Sequence, residues 1–290
     1  YKALPEANEK GVVEVKLPSE FATLVTEGAT AGLKLAIKNS FDFNAETLVP
    51  LADFTKFTAL EIDGGSKTIA NFSVATEGSV AALFPDVSGI NVKNLKIAKA
   101  SVDAGVGEAA YAGALIGRSY GKIVLTNVDV EESIIKGTNK VGGLVGFVAE
   151  NSINVNKCNV TNTLIETHDV AGESGLAGGL IGYIGCQNDL HTAKSSIETC
   201  TVKESTLTFI NSTDAVNRAN SEFIGGVGGD ADDELVIKKA TIEKNIFTQT
   251  GVTEYERFHE LIGGLRGEFK VTVDGKKLYT EPEDEDPETT

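Results

Sequence analysis

A thirteen-residue phrase that recurs along the chain constrains its fold more than any other feature. Residues 153 to 165 read INVNKCNVTNTLI. Stacked on them without gaps are INVKNLKIAKASV from Ile90, IVLTNVDVEESII from Ile123, SSIETCTVKESTL from Ser195 and LVIKKATIEKNIF from Leu235. Five columns then carry small or apolar side chains. The second column, for example, is Val92, Leu125, Val155, Ile197 and Ile237, and the third is Leu95, Val128, Cys158, Cys200 and Ala240. Ser195, in the first column, is the single exception.

Within the phrase the apolar spacing is 2, 3, 2, 5. Steps of two are the alternation of a strand, and the step of three marks a corner at which inward-facing positions stay inward. No stretch of the repeats sustains the i, i+3, i+4, i+7 pattern of a helix. A glycine phrase leads each unit: GALIG from Gly113, GGLVG from Gly142, GGLIG from Gly178, GGVGG from Gly225 and GGLRG from Gly263, giving periods of 29, 36, 47 and 38 residues. Such units cannot close a core singly, but stacked coil on coil they bury a continuous one. The expected fold is therefore all-β: a single-stranded right-handed parallel β-helix, the hand following the general rule for parallel crossovers.

The unequal periods locate the loops. Connectors 103–112, 136–141, 166–177, 208–224 and 248–262 all leave the same corner of the coil and lengthen toward the C-terminus, with a second insertion at 183–194. At the front, LPSEFATLV from Leu17 reads as a short amphipathic helix with Ser19 as its N-cap, capping the open end of the solenoid. Residues 1–278 are expected to form one β-helical domain, with repeat coils over about 80–270, and 279–290 a disordered acidic tail. Six of its residues, Glu281, Glu283, Asp284, Glu285, Asp286 and Glu288, are acidic.

With 26 basic and 42 acidic residues the formal charge is −16, which argues against nucleic acid or an anionic membrane as a partner. No apolar run is long enough to insert into a bilayer. The glycine phrases lack the Lys and the following helix of a phosphate-binding loop, and the apolar context of a membrane GxxxG motif, so they read as structural corners. Three cysteines (Cys158, Cys186, Cys200) match no zinc spacing. Cys158 and Cys200 share a column and read as reduced core residues, while Cys186 with His191 lacks the third orienting group of a catalytic thiol.

The order LEIDGGSKTIANFSV, then ALFPDVSGINVKNLKI, then repeated GGLVG phrases resembles bacterial surface proteins with GLUG-type β-helix repeats. Asp63, Gly64, Gly65, Lys67, Thr68 and Ile69 match the first motif of that group; Leu83 and Phe84 match the second, with Pro85 where the group has glycine. The resemblance spans roughly residues 15 to 270. It implies a protein placed outside the cell or on its outer surface after removal of an export signal, often lipid-anchored, and commonly described as an adhesin.

The functional expectation is a non-catalytic platform for cell adhesion, or for binding a host-surface or matrix glycan or protein, through the edge loops. Phe209, Tyr255, Phe258 and His259 are the rings expected to be exposed there. No cofactor is expected unless Asp230, Asp232, Asp233 and Glu234, the acidic cluster of GGDADDE, hold calcium. Two alternatives stand beside this: a polysaccharide-degrading lyase or glycoside hydrolase, for which outward acids such as Asp129 and Glu131 are the natural candidates, and a spacer or fimbria-like structural subunit.

Overall fold

The computed structural model describes residues 1–29, 32–57, 59–170, 175–186, 192–211, 219–251, 258–268 and 270–277. They are nearly all β, with one helix and strands that pair almost wholly in parallel. Each strand pairs with its counterpart one repeat earlier and one repeat later. Leu125 faces Val92 on one side and Val155 on the other, Val155 faces Ile197, and Ile197 faces Ile237. The second column is thus a single file through successive units. The fourth column behaves in the same way, Ile97, Val130, Val160, Val202 and Ile242 standing in register.

One unit shows how the sequence produces this. Ile123–Glu131 is a strand bent at Asn127, followed by Ile134–Thr138, Lys140–Gly142 and the next unit's Val145–Val148. The bend residues Asn94, Asn127, Lys157, Thr199 and Lys239 all have φ between 52° and 57°. A second set, Lys99, Glu132, Asn162, Glu204 and Lys244, repeats this at the next corner with φ from 46° to 54°. Left-handed backbone at single residues reverses the side-chain alternation, so both flanking strands aim apolar groups at the same interior. None of these ten corner residues is glycine. Glycine is required elsewhere, for close approach: a Cβ on Gly142 would lie 2.1 Å from the Val145 carbonyl oxygen, and one on Gly178 2.0 Å from that of Ile181.

The apolar interior is continuous. Leu125, Val130, Ile135, Val160, Ile165, Ile197 and Val202 are fully buried, and each such side chain contributes about 1.5–3 kcal/mol by leaving water. Beside the apolar files runs a buried polar one. Ser133 Oγ accepts the Ala100 N–H (3.0 Å), Thr163 Oγ1 that of Ser133 (3.4 Å), Ser205 Oγ that of Thr163 (3.2 Å), and Asn245 Oδ1 that of Ser205 (3.0 Å). Ser195 has the same role at the head of a strand, where its Oγ accepts the Ile153 N–H at 3.0 Å. The apparent exception in the first column is a designed hydrogen bond.

Cys158 and Cys200 are free and buried, as expected. Cys158 Sγ accepts the Val128 N–H at 3.4 Å, the thiol counterpart of the hydroxyl file. The Cys200 sulfur beside it, together with burial, holds the Cys158 thiol well above its ordinary pKa.

The helix Pro18–Glu27 connects the first two strands, Val12–Val15 and Lys34–Ile37, which pair with each other, and buries Phe21, Leu24 and Val25 in the common core. Phe21 packs against Phe41 and Phe43 with ring centroids 6.1 and 6.2 Å apart. Ser19 is not its N-cap: Leu17 holds that position, with Pro18 next. The terminus is satisfied instead by Glu20, whose carboxylate turns back to accept the N–H groups of Lys16 (2.8 Å) and Leu17 (3.1 Å). The acidic stretch 279–290 lies outside the described residues.

Candidate binding surface

The glycine phrases build one wall of each unit, a parallel sheet of seven strands. The slot after the closing residue of each phrase, Pro85, Gly117, Gly146 and Gly182, falls in register from unit to unit: Asp86, Arg118, Phe147 and Tyr183, continued by Gly226, because Ser221 rather than Gly225 stands opposite Gly178. These side chains form a layer outside the main hydrophobic core. Tyr111, from the first connector, joins it edge-on to Phe147 at 5.2 Å, and Phe147 lies 5.8 Å from Tyr183. A Cβ on Gly226 would sit 3.0 Å from Tyr183 Cδ2, so the last slot leaves room for that ring.

Two cations decorate the rings. Lys140 Nζ lies 5.0, 4.7 and 5.7 Å from the centroids of Tyr111, Phe147 and Tyr183. The Arg118 guanidinium is 5.5 Å from Tyr111 and 5.2 Å from Tyr120. Arg118 is also held in a fork by Asp86, Nε to Oδ1 at 2.8 Å and Nη2 to Oδ2 at 2.9 Å. That hydrogen bonding raises the Arg118 pKa, and burial raises that of Tyr120. A half-buried bidentate pair is geometrically fixed, so the strip is presented rigidly. Tyr111 and Tyr183 are buried, whereas Phe147, Arg118, Lys140 and Tyr120 stand at the solvent boundary. The signal was present in the sequence: the same slot of successive glycine phrases holds Arg, Phe and Tyr.

The ring residues expected on the edge loops fare differently. Phe209 is buried, 1% exposed, and is not a surface ring. The strand Thr206–Asn211 runs on past the expected start of its connector, so alternation sends Leu207 and Phe209 inward alike. Phe209 stands in register with Thr167 and Gly137, where the side chain grows from one unit to the next. The backbone of Phe258–His259 pairs with Asn220 and Ser221; their side chains, and all of Tyr255, lie outside the described residues. His191 is also outside them, and of Cys186 only the backbone is described.

The acidic cluster does not converge on a point. Both carboxylate oxygens of the buried Asp233 are spent on backbone N–H groups, those of Ala193 (2.9 Å) and Asp230 (2.8 Å). Asp230 and Asp232 face solvent, and Glu234 lies in the strand that pairs with Lys194 and Lys270. Among the described residues no group of three or more His, Cys, Asp or Glu is placed to hold a metal ion. Also among them, no helix is long and apolar enough to cross a membrane.

No family model matches the chain, and no curated protein matches it. Among solved structures, the chain is similar to a candidate immunoglobulin A1 protease from Bacteroides ovatus, with a TM-score of 0.59 and 18% identity over 96% of this chain and 81% of that one. At that identity the likeness concerns the fold alone. The Streptococcus pneumoniae surface protein and adhesin PfbA also aligns, over 90% of this chain and 88% of that one, but at 10% identity and a TM-score of 0.19, too low to support an argument.

Proposed function

We propose that the chain is a right-handed parallel β-helix of the GLUG-repeat kind, exported to the cell exterior or outer surface. There it acts as a non-catalytic adhesion platform for a host-surface or matrix glycan or protein. The observation that carries this reading is the cation-decorated aromatic strip on three successive coils about 4.8 Å apart: Arg118, Lys140 and Phe147 stand at the solvent boundary, backed by the buried Tyr111 and Tyr183. Aromatic faces with fixed polar groups at their margin suit recognition of sugars and of peptide rings alike. Tyr255, Phe258 and His259, on the last connector, remain proposed contact residues beside this strip.

The test is a glycan-array and host-matrix panel run with and without chelator, which reads calcium dependence directly, followed by titration of any ligand found. Phe147→Ala is expected to weaken binding about tenfold, roughly 1.4 kcal/mol, without changing the circular dichroism. If no ligand found on the panel loses affinity to Phe147→Ala or Lys140→Gln, the strip is removed from consideration.

One observation favours the structural-subunit reading. In the last coil Ile242 and Phe247 are only partly buried and Ile246 is 59% exposed, and among the described residues no strand pairs beyond Thr241–Glu243 or Ile246–Gly251. Light scattering that shows a monomer at all concentrations would count against it.

A further inference from the structure

A second surface lies on another side of the coil, between the two left-handed corners. There the strands Ile123–Glu131, Asn159–Thr161 and Thr201–Lys203 stack in register, Asp129 beside Asn159 beside Thr201, and Glu131 beside Thr161 beside Lys203. These six side chains are half-buried and line an open cleft of about 320 Å³. That volume is at the lower end of small-ligand clefts.

The cleft combines fixed and uncommitted groups. Asn159 Nδ2 donates to Asp129 Oδ1 at 2.8 Å, and Lys96 Nζ approaches Glu131 Oε2 at 3.4 Å, so both carboxylates are oriented and the charge of Glu131 is offset. Among the described residues the Thr161 and Thr201 hydroxyls meet no protein partner, and Lys203 meets no carboxylate within ion-pair distance. The result is a two-row grid of donors and acceptors. Rows are about 6.6 Å apart along the strand, and neighbours within a row about 4.8 Å apart along the stack. An extended β-linked glycan advances one sugar in close to that second spacing, whereas an α-linked helical glucan curls away from a flat grid.

We propose that this cleft binds two to three consecutive sugars of an extended, neutral, β-linked polysaccharide lying along the coil axis. Asp129 and Glu131 accept sugar hydroxyls, and Thr161, Thr201 and Lys203 complete the hydrogen bonding. Asn159 and Lys96 hold the carboxylates in place for that recognition role. This site is separate from the aromatic strip and does not rest on it.

The experiment is calorimetric titration of the full chain with hexasaccharides of β-1,4-glucan and β-1,4-mannan, and of α-1,4-glucan as the mismatched control. At least one β-linked oligosaccharide is expected to bind, with the α-linked control about tenfold weaker or worse. The double variant Thr161→Val/Thr201→Val keeps two β-branched strand residues and removes both hydroxyls. It is expected to lose about tenfold in affinity while Phe147→Ala loses none. The proposal is overturned if no β-linked oligosaccharide binds, or if the double variant binds as the parent does. It is equally overturned if Phe147→Ala alone abolishes binding, a result that would leave the aromatic strip standing as the sugar site.

Discussion

Replacing Ser205 by alanine tests the buried hydroxyl file, because the structure lets its cost be assigned to one atom. Ser205 is 1% exposed. Its Oγ accepts the Thr163 N–H at 3.2 Å and donates to the Lys203 carbonyl at 3.0 Å. That carbonyl also accepts the Asn162 N–H at 3.1 Å, so it stays satisfied when the hydroxyl is removed. The Thr163 N–H does not: it is left buried without the acceptor it uses. Orphaning a buried donor costs about 1–3 kcal/mol, and deleting a single oxygen adds little cavity penalty beside that. Ser205→Ala should therefore destabilise by about 1–3 kcal/mol in urea denaturation, with faster hydrogen exchange at the Thr163 amide as the local signature. Thr206→Ala, one residue on and half-buried, is the control and should shift stability by no more than about 0.5 kcal/mol. Equal effects for the two variants, or a Thr163 amide that exchanges as in the parent, would refute the reasoning.

Phe209→Ala should cost about 3–5 kcal/mol in the same denaturation assay, the response of a filled interior; a surface ring would leave the midpoint unmoved. Thr167 Oγ1 is buried with no hydrogen-bond partner among the described residues, so Thr167→Val should stabilise by about 1 kcal/mol, and a loss of stability would show that the hydroxyl has a partner. Burial, and next to it the neighbouring Glu260, raise the Glu222 pKa above the ordinary carboxylate value. A raised acid binds more protons folded than unfolded, so stability falls as pH rises through the window between the unfolded and folded values and stays lower above it. Glu222→Gln should accordingly raise the melting temperature at neutral pH, with the gain vanishing at pH values below the ordinary carboxylate pKa; a gain independent of pH would rule out the electrostatic origin.

The columns were legible because strand alternation and gap-free recurrence reinforce one another over five copies of one phrase. Leu125, Val155, Ile197 and Ile237 needed no further information to be placed in file. The corner residues were less so. Asn94 and Asn127 are residues that tolerate left-handed backbone, but Thr199 and Lys239 fill the same corner, held there by the flanking ladders rather than by intrinsic preference. The hydroxyl file was missed for a related reason: Ser133, Thr163 and Ser205 fall inside the step of five, where a polar residue reads as exposed unless a neighbouring coil's N–H is known to point at it. The exposure of Phe209 was misread because of a boundary. Starting a connector at residue 208 put Phe209 on a loop, when the Thr-Leu-Thr-Phe alternation continued the strand. The slot shared by Arg118, Phe147 and Tyr183 recurs with the glycine phrases and is read as structural for that reason.

The stack itself is tested most directly by a distance between two outward positions far apart in sequence. Asn91, Val124, Asn154, Ser196 and Val236 stand in register on five successive strands. With the native cysteines replaced by serine, spin labels on Asn91→Cys and Val236→Cys are separated by four coil spacings. Pulsed electron–electron dipolar spectroscopy should give a narrow distribution centred at roughly 19 Å. A distribution centred well beyond that, or spread broadly, would mean that the repeats do not lie coil over coil.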